Sequence, residues 1–245
     1  MNVVVRRLLG CGTIAVLGVV LAMIILPGTG GVHRGRRTQC MSFMRNVSFA
    51  LHTYATDNQG RLPPAYIADE HGQPMHSWRV LLLPYLDQQS LYDQYRFDEP
   101  WNGPNNSKLA KVIPEVYQCP NEYGHAEGSH PWTSYVAVVG PHTLWPGAEP
   151  GQIDDIPDGQ HRTLLLVEVH DSGIHWMEPR DLKLDEMNPQ INSAGTLGIS
   201  SVHPGVAHVI FADGHGGPLS EKVRPEVLRQ LIQRDDGGPA EADLP

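Results

Sequence analysis

The chain has 245 residues and a formal net charge of −9, from 18 basic and 27 acidic residues. No cluster of Lys or Arg follows Arg37, so the chain lacks the basic face that nucleic-acid binding requires. We therefore predict no nucleic-acid partner. About two hundred residues remain beyond the N-terminal region, enough for one sizeable hydrophobic core.

The segment nearest the N-terminus with a clear pattern is an apolar run from Leu8 to Leu26, which holds no charge and follows two arginines. A helix of this length spans about 28 Å, close to the hydrocarbon thickness of a bilayer. We predict a cytoplasmic leader over residues 1–7 and a single transmembrane anchor over residues 8–26, which makes the lipid bilayer the first partner of the chain.

Two alternatives for this run stay open. A cleaved signal peptide has the same basic start and apolar core, although no Ala-x-Ala site follows Leu26. The sequence from Leu8 to Cys11 is also similar to a lipoprotein processing box, in which Cys11 would be acylated. Basic residues flank both ends of the run, so charge alone does not orient the anchor.

A Gly-rich linker is predicted over residues 27–38, followed by a helix from Gln39 to Thr56 with Thr38 as its N-cap. Apolar residues recur in this helix at three- and four-residue spacing, which is typical of one buried stripe. The stripe consists of Met41, Met44, Val47, Leu51 and Tyr54. We expect the helix to pack against a sheet.

The remaining elements are predicted from shorter patterns. A helical stretch over residues 76–92 is divided or kinked by Pro84, and a last helix begins at Pro225 and reaches Gln233. Four β-like runs lie between them, of which the run from Arg162 is the most apolar and reads as a central strand. These runs are Val116–Cys119, Thr133–Val139, Arg162–Val169 and Val206–Ala212. The globular domain then covers residues 39–238, with a disordered tail over 239–245.

The last strand leads into Asp213-Gly214, a dipeptide typical of tight two-residue hairpin turns with positive φ. Strand alternation places Ala207, Val209 and Phe211 on one face and His208, Ile210 and Ala212 on the other. We predict that His203, Asp213 and Gly214 support this hairpin and are not a catalytic pair.

The 13 histidines suggest a metal site, and the densest group is His203, His208, Asp213 and His215. A strand from Val206 to Ala212 is about 23 Å long, which separates His203 from Asp213, and no zinc-type ligand spacing is present. Neither a nucleophile elbow nor a phosphate-binding glycine loop follows the anchor. We predict no catalytic residue, no cofactor and no metal site, and hence no enzyme.

Beyond the apolar run only two cysteines remain, Cys40 and Cys119. They form either a disulfide, which would place the domain outside the cytoplasm, or two unrelated buried thiols. We predict the disulfide.

Several segments together resemble a known family. They are Arg37-Thr38-Gln39-Cys40, Ala50-Leu51-His52-Thr53-Tyr54, Leu62-Pro63-Pro64-Ala65-Tyr66, Ser77-Trp78-Arg79 through Leu86, Asp98-Glu99-Pro100-Trp101, Cys119-Pro120, Thr133-Ser134-Tyr135, and His203 with nine residues before Asp213-Gly214. The chain resembles the bacterial family called domain of unknown function 1559, which consists of pseudopilin-like proteins with a His-x9-Asp-Gly motif.

This resemblance implies the plan of a type IV pilin or type II secretion pseudopilin: an α+β fold with an N-terminal transmembrane helix and a helical spine that packs on an antiparallel β-sheet. The acidic residue that such proteins carry early in the membrane helix is absent here, and Pro27-Gly28 interrupts the spine, so we expect a fixed anchor. The expected location is the bacterial inner membrane, with the C-terminal domain extracytoplasmic.

The expected role is structural or protein-binding at the cell envelope, through an envelope protein partner or self-association. The alternative is a periplasmic module that binds a ligand or a metal at the hairpin from His203 to His215.

Overall fold

The structure, a computed structural model, describes residues 29–123, 130–195 and 197–239. The predicted leader and anchor, and residues 240–245 of the predicted tail, lie outside the described residues. Among the helices that these residues form, none combines the length and the apolar character needed to cross a bilayer. The contacts within the chain divide it after Arg36, and the unit that begins at Arg37 is a compact α+β fold.

The spine is the helix α1, Thr29–Asp57. It begins before the predicted N-cap, so Thr38 lies inside the helix and the predicted linker over residues 27–38 is helical from Thr29 onward. The predicted apolar stripe is confirmed: Met44, Val47 and Leu51 are fully buried. Because these residues recur at three- and four-residue spacing, they form one face that packs into the core.

The main sheet consists of four strands: β4 Tyr135–Val136, β7 Leu164–Glu168, β9 Val206–Phe211 and β10 Gly216–Ser220. Their order across the sheet is β10-β9-β7-β4, and every neighbouring pair is antiparallel. All five residues of β7 are buried, which confirms the predicted central strand.

The strands β4, β7 and β9 of the main sheet are buried on both faces. On one face Ile210 and Ala212 share a core with α1, and on the other face Val209 and Phe211 share a second core with the helix α5, Pro225–Ile232. The alternation predicted for the last strand is therefore confirmed. The helix α5 also begins at Pro225 as predicted, because proline suits the first helical turn.

The predicted helix over residues 76–92 is wrong at its start. His76 and Ser77 belong to the strand β3, Pro74–Ser77, which pairs with β2, Tyr66–Ala68. The Oγ of Ser77 then accepts from the N–H of Arg79 and caps the helix α2, Trp78–Leu81. A 3₁₀ turn, Leu83–Leu86, contains Pro84 and separates α2 from α3, Gln89–Gln94, which confirms the division at this proline.

Two predicted strands differ in the structure. In place of a strand over Val116–Cys119 there is a 3₁₀ turn, Glu115–Tyr117, which Pro114 initiates with its fixed φ. The run from Thr133 to Val139 is interrupted at Ala137, whose N–H donates to a side chain and leaves the ladder. The second half, β5, Val138–Val139, pairs in parallel with β8, Leu182–Lys183.

The strand β1, Arg61–Pro64, pairs with β6, Pro150–Gln152. A short helix α4, Pro120–Tyr123, and two 3₁₀ turns, Asn106–Leu109 and Gln160–Arg162, are also present. A bend at Ala65 separates β1 from β2.

The hairpin turn between β9 and β10 has three residues, not the two that were predicted. The N–H of Phe211 donates to the carbonyl of His215, and the N–H of Gly214 donates back to the carbonyl of Phe211. Of the two turn residues Asp213 and Gly214, only the glycine has a positive φ, +85°. This arrangement is a turn followed by a left-handed glycine, a common form of the three-residue hairpin loop.

A candidate site around the Cys40–Cys119 disulfide

Cys40 and Cys119 form a disulfide with 4.9 Å between their Cα atoms, as predicted. Cys40 lies in α1 and Cys119 lies immediately before α4, so the bond joins the spine to the segment that leads into α4. Both cysteines are fully buried. Two side-chain hydroxyls bind the main chain of these cysteines. The Oγ of Ser134 accepts from the N–H of Cys119, at 2.9 Å, and the hydroxyl of Tyr135 donates to the carbonyl of Cys40, at 3.0 Å.

His203 lies beside this disulfide, with its Nε2 4.0 Å from the Sγ of Cys119. The other ring nitrogen, Nδ1, is 3.4 Å from the side-chain amide of Asn121. The N–H of His203 donates to the Oγ of Ser201, which fixes the start of the loop before β9. Burial lowers the pKa of His203, so the neutral imidazole is the favoured form.

A buried pair of Glu168 and His208 completes the cluster. Glu168 ends β7 and His208 lies on β9, and their side chains are 1% and 2% exposed. One carboxylate oxygen of Glu168 accepts from the N–H of His208 at 3.0 Å and pairs with its Nδ1 at 2.7 Å. With the proton on Nδ1, the Nε2 of His208 is left to accept from the Nε of Arg37, at 3.4 Å. The rings of His203 and His208 meet edge to face, 4.7 Å apart.

The cluster continues toward the surface through Glu122, whose side chain is 3% exposed. One of its oxygens accepts from the hydroxyl of Ser134 at 2.8 Å. The other contacts the Nδ1 of His170, at 3.1 Å, and accepts from the N–H of Asp171. His170 is about half exposed and opens onto a polar cavity of about 370 Å³. The cavity is lined by His170, Asp171, Asn192, Ser193, Gly195, Leu197, Gly198, Ser200 and Ser201.

Within the described residues, one group of side chains has the donor atoms and the spacing to hold a metal ion. It consists of Cys40, Cys119, Glu168 and His203, all buried, whose ligand atoms lie within 4.8 Å of one another. The two sulfurs are joined to each other, and a cysteine binds metal as a thiolate. In the disulfide form the cluster therefore acts as a cross-link between α1, the loop before α4 and the sheet.

A second buried polar group lies on the other side of Tyr135. Its centre is the ion pair of Arg79 and Asp181, 2.5 Å apart and at most 1% exposed. Asp181 also accepts from the indole N–H of Trp78 and the N–H of Ala137, while Arg79 donates to the carbonyl of Tyr135. Burial raises the pKa of Asp181 in spite of the nearby guanidinium. Since these groups are satisfied within the protein, their arrangement is that of a structural network.

The structure separates the residues of the predicted His-x9-Asp-Gly motif. His203 lies at the disulfide, whereas Asp213 lies in the hairpin turn, where one carboxylate oxygen accepts from the N–H of His215 and contacts its Nδ1. Gly214 lies under α1, beside His52 and Ser48. The histidine therefore belongs to the disulfide cluster, and Asp213 and Gly214 belong to the turn.

Sequence reasoning assigned no site to Glu168 or to Asp181. Glu168 offered a signal, because it interrupts an otherwise apolar strand and a carboxylate in such a run is buried with a partner. Asp181 offered none, since it follows a polar loop and reaches Arg79 across more than a hundred residues.

A family model described as a protein of unknown function (DUF1559) matches residues 34–176. The match includes both cysteines, Glu168 and the Trp78-Arg79 dipeptide, and it ends before His203. No curated protein and no solved structure matches the chain.

Proposed function

Because the matched residues make up more than half of the chain, the chain belongs to the DUF1559 family, and we propose that it is a membrane-anchored, extracytoplasmic, pseudopilin-like protein. Its proposed role is structural or protein-binding at the cell envelope, through an envelope protein or a second copy, with no catalysis. The observation that carries this proposal is the buried disulfide between Cys40 and Cys119.

The disulfide supports an exported domain, because such bonds form and persist in oxidising compartments and are rare in the cytosol. It closes a loop of 79 residues between α1 and the segment before α4, so it acts on the whole fold. The apolar run over residues 8–26 supplies the proposed anchor.

The arrangement of elements supports the pseudopilin-like plan. The helix α1 packs along one face of an antiparallel four-stranded sheet, and that face forms the larger core. The buried charges of Glu168 and Asp181 are held by partners within the protein, which favours a structural role for them over catalysis.

Localisation and topology test the first half of the proposal. We expect the full chain to stay in the inner-membrane fraction after carbonate washing and to keep residues 1–26 by mass spectrometry. A protease added to spheroplasts should degrade the domain, and a cytoplasmic marker protein should survive as the control. A soluble chain, a chain that begins after Leu26, a lipid on Cys11 or a protected domain would each contradict the proposal.

Cross-linking in the cell tests the second half. Phe49 on α1 is 74% exposed, the most exposed large apolar side chain of the described residues, and is therefore a suitable position for a photo-reactive amino acid. Val112, 53% exposed in a loop far along the chain, is the matched control position. We expect one discrete adduct from Phe49, either with an envelope protein or with a second copy. The same faint background of adducts from both positions would count against an interaction role for the spine.

A second candidate function is the binding of a ligand at the hairpin. One observation favours it: a groove of about 520 Å³ lies along the face of β9 and β10 that carries Val209, Phe211 and Leu219, with His215 at its edge. Its lining is largely apolar, as is typical of small-molecule sites. Calorimetry of the full chain with peptides and cell-wall fragments tests this candidate. Heat of binding that disappears in a Gly217→Lys variant, whose side chain would enter the groove from a position with no atom near its Cβ, would support it over the structural role.

A further inference from the structure

We propose that, once the disulfide is opened, Cys40, Cys119, His203 and Glu168 form a four-ligand site for a borderline-soft divalent cation of the zinc type. The site differs from the ligand groove at the hairpin, because it lies on the opposite face of the sheet, against α1.

The geometry of the cluster is close to that of a tetrahedral site. Zinc binds sulfur at about 2.3 Å and imidazole nitrogen at about 2.0 Å, so neighbouring ligand atoms around it are separated by about 3.3 to 3.8 Å. The four donor atoms already lie within 4.8 Å of one another, and the Nε2 of His203 is 4.0 Å from the Sγ of Cys119. Side-chain shifts of about 1 Å therefore suffice, once the two sulfurs are free to separate.

The donor types are those that zinc selects. Two thiolates, one imidazole and one carboxylate make a closed set with no open position, which is characteristic of a structural metal site. All four residues are buried, and buried thiolates and carboxylates need a cation to offset the cost of burying their charge.

Partners for the ligands are also in place. His208 holds the Glu168 carboxylate through its N–H and its Nδ1. The Nδ2 of Asn121 lies 3.4 Å from the Nδ1 of His203. Rotation of this amide by 180° would place its Oδ1 there to accept from the Nδ1–H, which leaves the Nε2 of His203 for the metal. Two thiolates and one carboxylate around a divalent cation leave one negative charge, and Arg37, which contacts His208, supplies one positive charge.

The chemistry requires a thiol reductant. Two reductant thiols give two electrons and two protons to the disulfide, so that the S–S bond breaks, two cysteine thiols form, and the reductant leaves as its own disulfide. Metal binding then releases both cysteine protons as the two sulfur–metal bonds form. Since the same two sulfurs make either the disulfide or the metal site, the two cross-links exclude each other.

The test uses the purified full chain with Cys11→Ser, which leaves Cys40 and Cys119 as the only thiols. One portion is kept oxidised and one is reduced with a dithiol, which is then removed under nitrogen. We expect one equivalent of Zn²⁺ to bind to the reduced chain and none to the oxidised chain. Co²⁺ in place of Zn²⁺ should give the intense absorption of tetrahedral cobalt together with a thiolate charge-transfer band.

Two variants test whether His203 and Glu168 are ligands, or whether the two cysteines bind the metal without them. His203→Ala and Glu168→Gln should each weaken Zn²⁺ binding to the reduced chain by at least about tenfold, which is the smallest effect typical of a lost metal-site contact. His71→Ala is the matched control, because His71 is exposed and is not one of the four ligands, and it should bind as the parent does.

Three results would overturn the proposal: the same Zn²⁺ uptake by oxidised and reduced chains, undiminished binding by both ligand variants, or an octahedral cobalt spectrum. If a variant fails to fold, the cobalt spectrum of the parent chain still decides, because the spectrum reports the number of thiolates and the geometry without any substitution at the ligands.

Discussion

The glycines of the β9–β10 hairpin allow a test of backbone strain, because adding a side chain has a different physical cost at each of these neighbouring positions. At Gly214, with φ +85°, a Cβ would meet only the Cε1 of His52 at 3.7 Å and the Oγ of Ser48 at 3.8 Å, which are ordinary contacts. Any cost of a side chain there comes from the backbone conformation. At Gly217 the φ is not positive and no atom lies within 4 Å of the Cβ position.

The expected magnitudes follow from these environments. Forcing an L-residue into the left-handed region costs about 1–2 kcal/mol, so Gly214→Ala should lower Tm by about 2 to 8 °C in a domain of this size. Gly214→Asn should cost less, because asparagine visits this region more readily. Gly217→Ala should leave Tm unchanged or raise it slightly, since alanine reduces the entropy of the unfolded chain.

A third glycine distinguishes strain from steric overlap. At Gly216 a Cβ would overlap the carbonyl oxygen of Val209 and lie 2.5 Å from the Cδ1 of Ile210. Asparagine cannot relieve this overlap, so Gly216→Ala and Gly216→Asn should both be worse than Gly214→Ala.

Thermal unfolding of the full chain in detergent, followed by circular dichroism, measures all five variants. The reasoning fails if Gly217→Ala lowers Tm as much as Gly214→Ala does, or if asparagine at position 214 is no better than alanine.

Three further predictions concern the buried groups. Replacing Cys40 and Cys119 together by alanine should lower the free energy of unfolding by about 4.5 kcal/mol at most on the loop-entropy model; denaturant titration measures the loss, and a change under about 1 kcal/mol would contradict a stabilising cross-link. Asp181→Ala should cost about 3–5 kcal/mol because it leaves the Arg79 charge buried without its partner, and adding Arg79→Met should recover part of the loss in the same titration. Burial lowers the pKa of His76, so the unfolded chain takes up a proton that the folded chain does not, and stability should fall as the pH drops below about 6.5; in His76→Gln this dependence between pH 7 and pH 5.5 should be weaker.

The parts of the fold that were predicted correctly rest on local periodicity. The apolar spacing in α1 and the alternation in β9 each place side chains on a definite face, and the structure buries those faces in two separate cores. Pro84 and Pro225 also acted as predicted, because the restriction of φ by proline does not depend on distant contacts.

One error occurs where a contact distant in sequence overrides the local pattern, and another occurs where the pairing across a turn differs from the expected one. The strand expected over Thr133–Val139 is broken because the N–H of Ala137 binds Asp181, 44 residues later. The hairpin loop has three residues because the N–H of Phe211 selects the carbonyl of His215 as its partner. Strand alternation alone does not fix that choice.

The candidate site also depends on contacts between residues that are distant in sequence. The sequence identified Cys40, Cys119 and His203 separately, and it assigned His203 to the same element as Asp213. Their assembly with Glu168 depends on the pairing of β7 with β9 and on the position of α1 along the sheet. Both are tertiary features, and no fixed spacing of residues in the sequence indicates them.

Tyr135 in β4 connects the two buried polar clusters of the domain. The strand β4 has only two residues, so ladder hydrogen bonds alone give it little stability. Tyr135 contacts both clusters: its hydroxyl donates to Cys40, and its carbonyl accepts from Arg79. A displaced β4 would lose both contacts at once, and it would also remove an acceptor from the buried guanidinium of Arg79. These contacts thereby fix the position of a strand that is too short to fix its own.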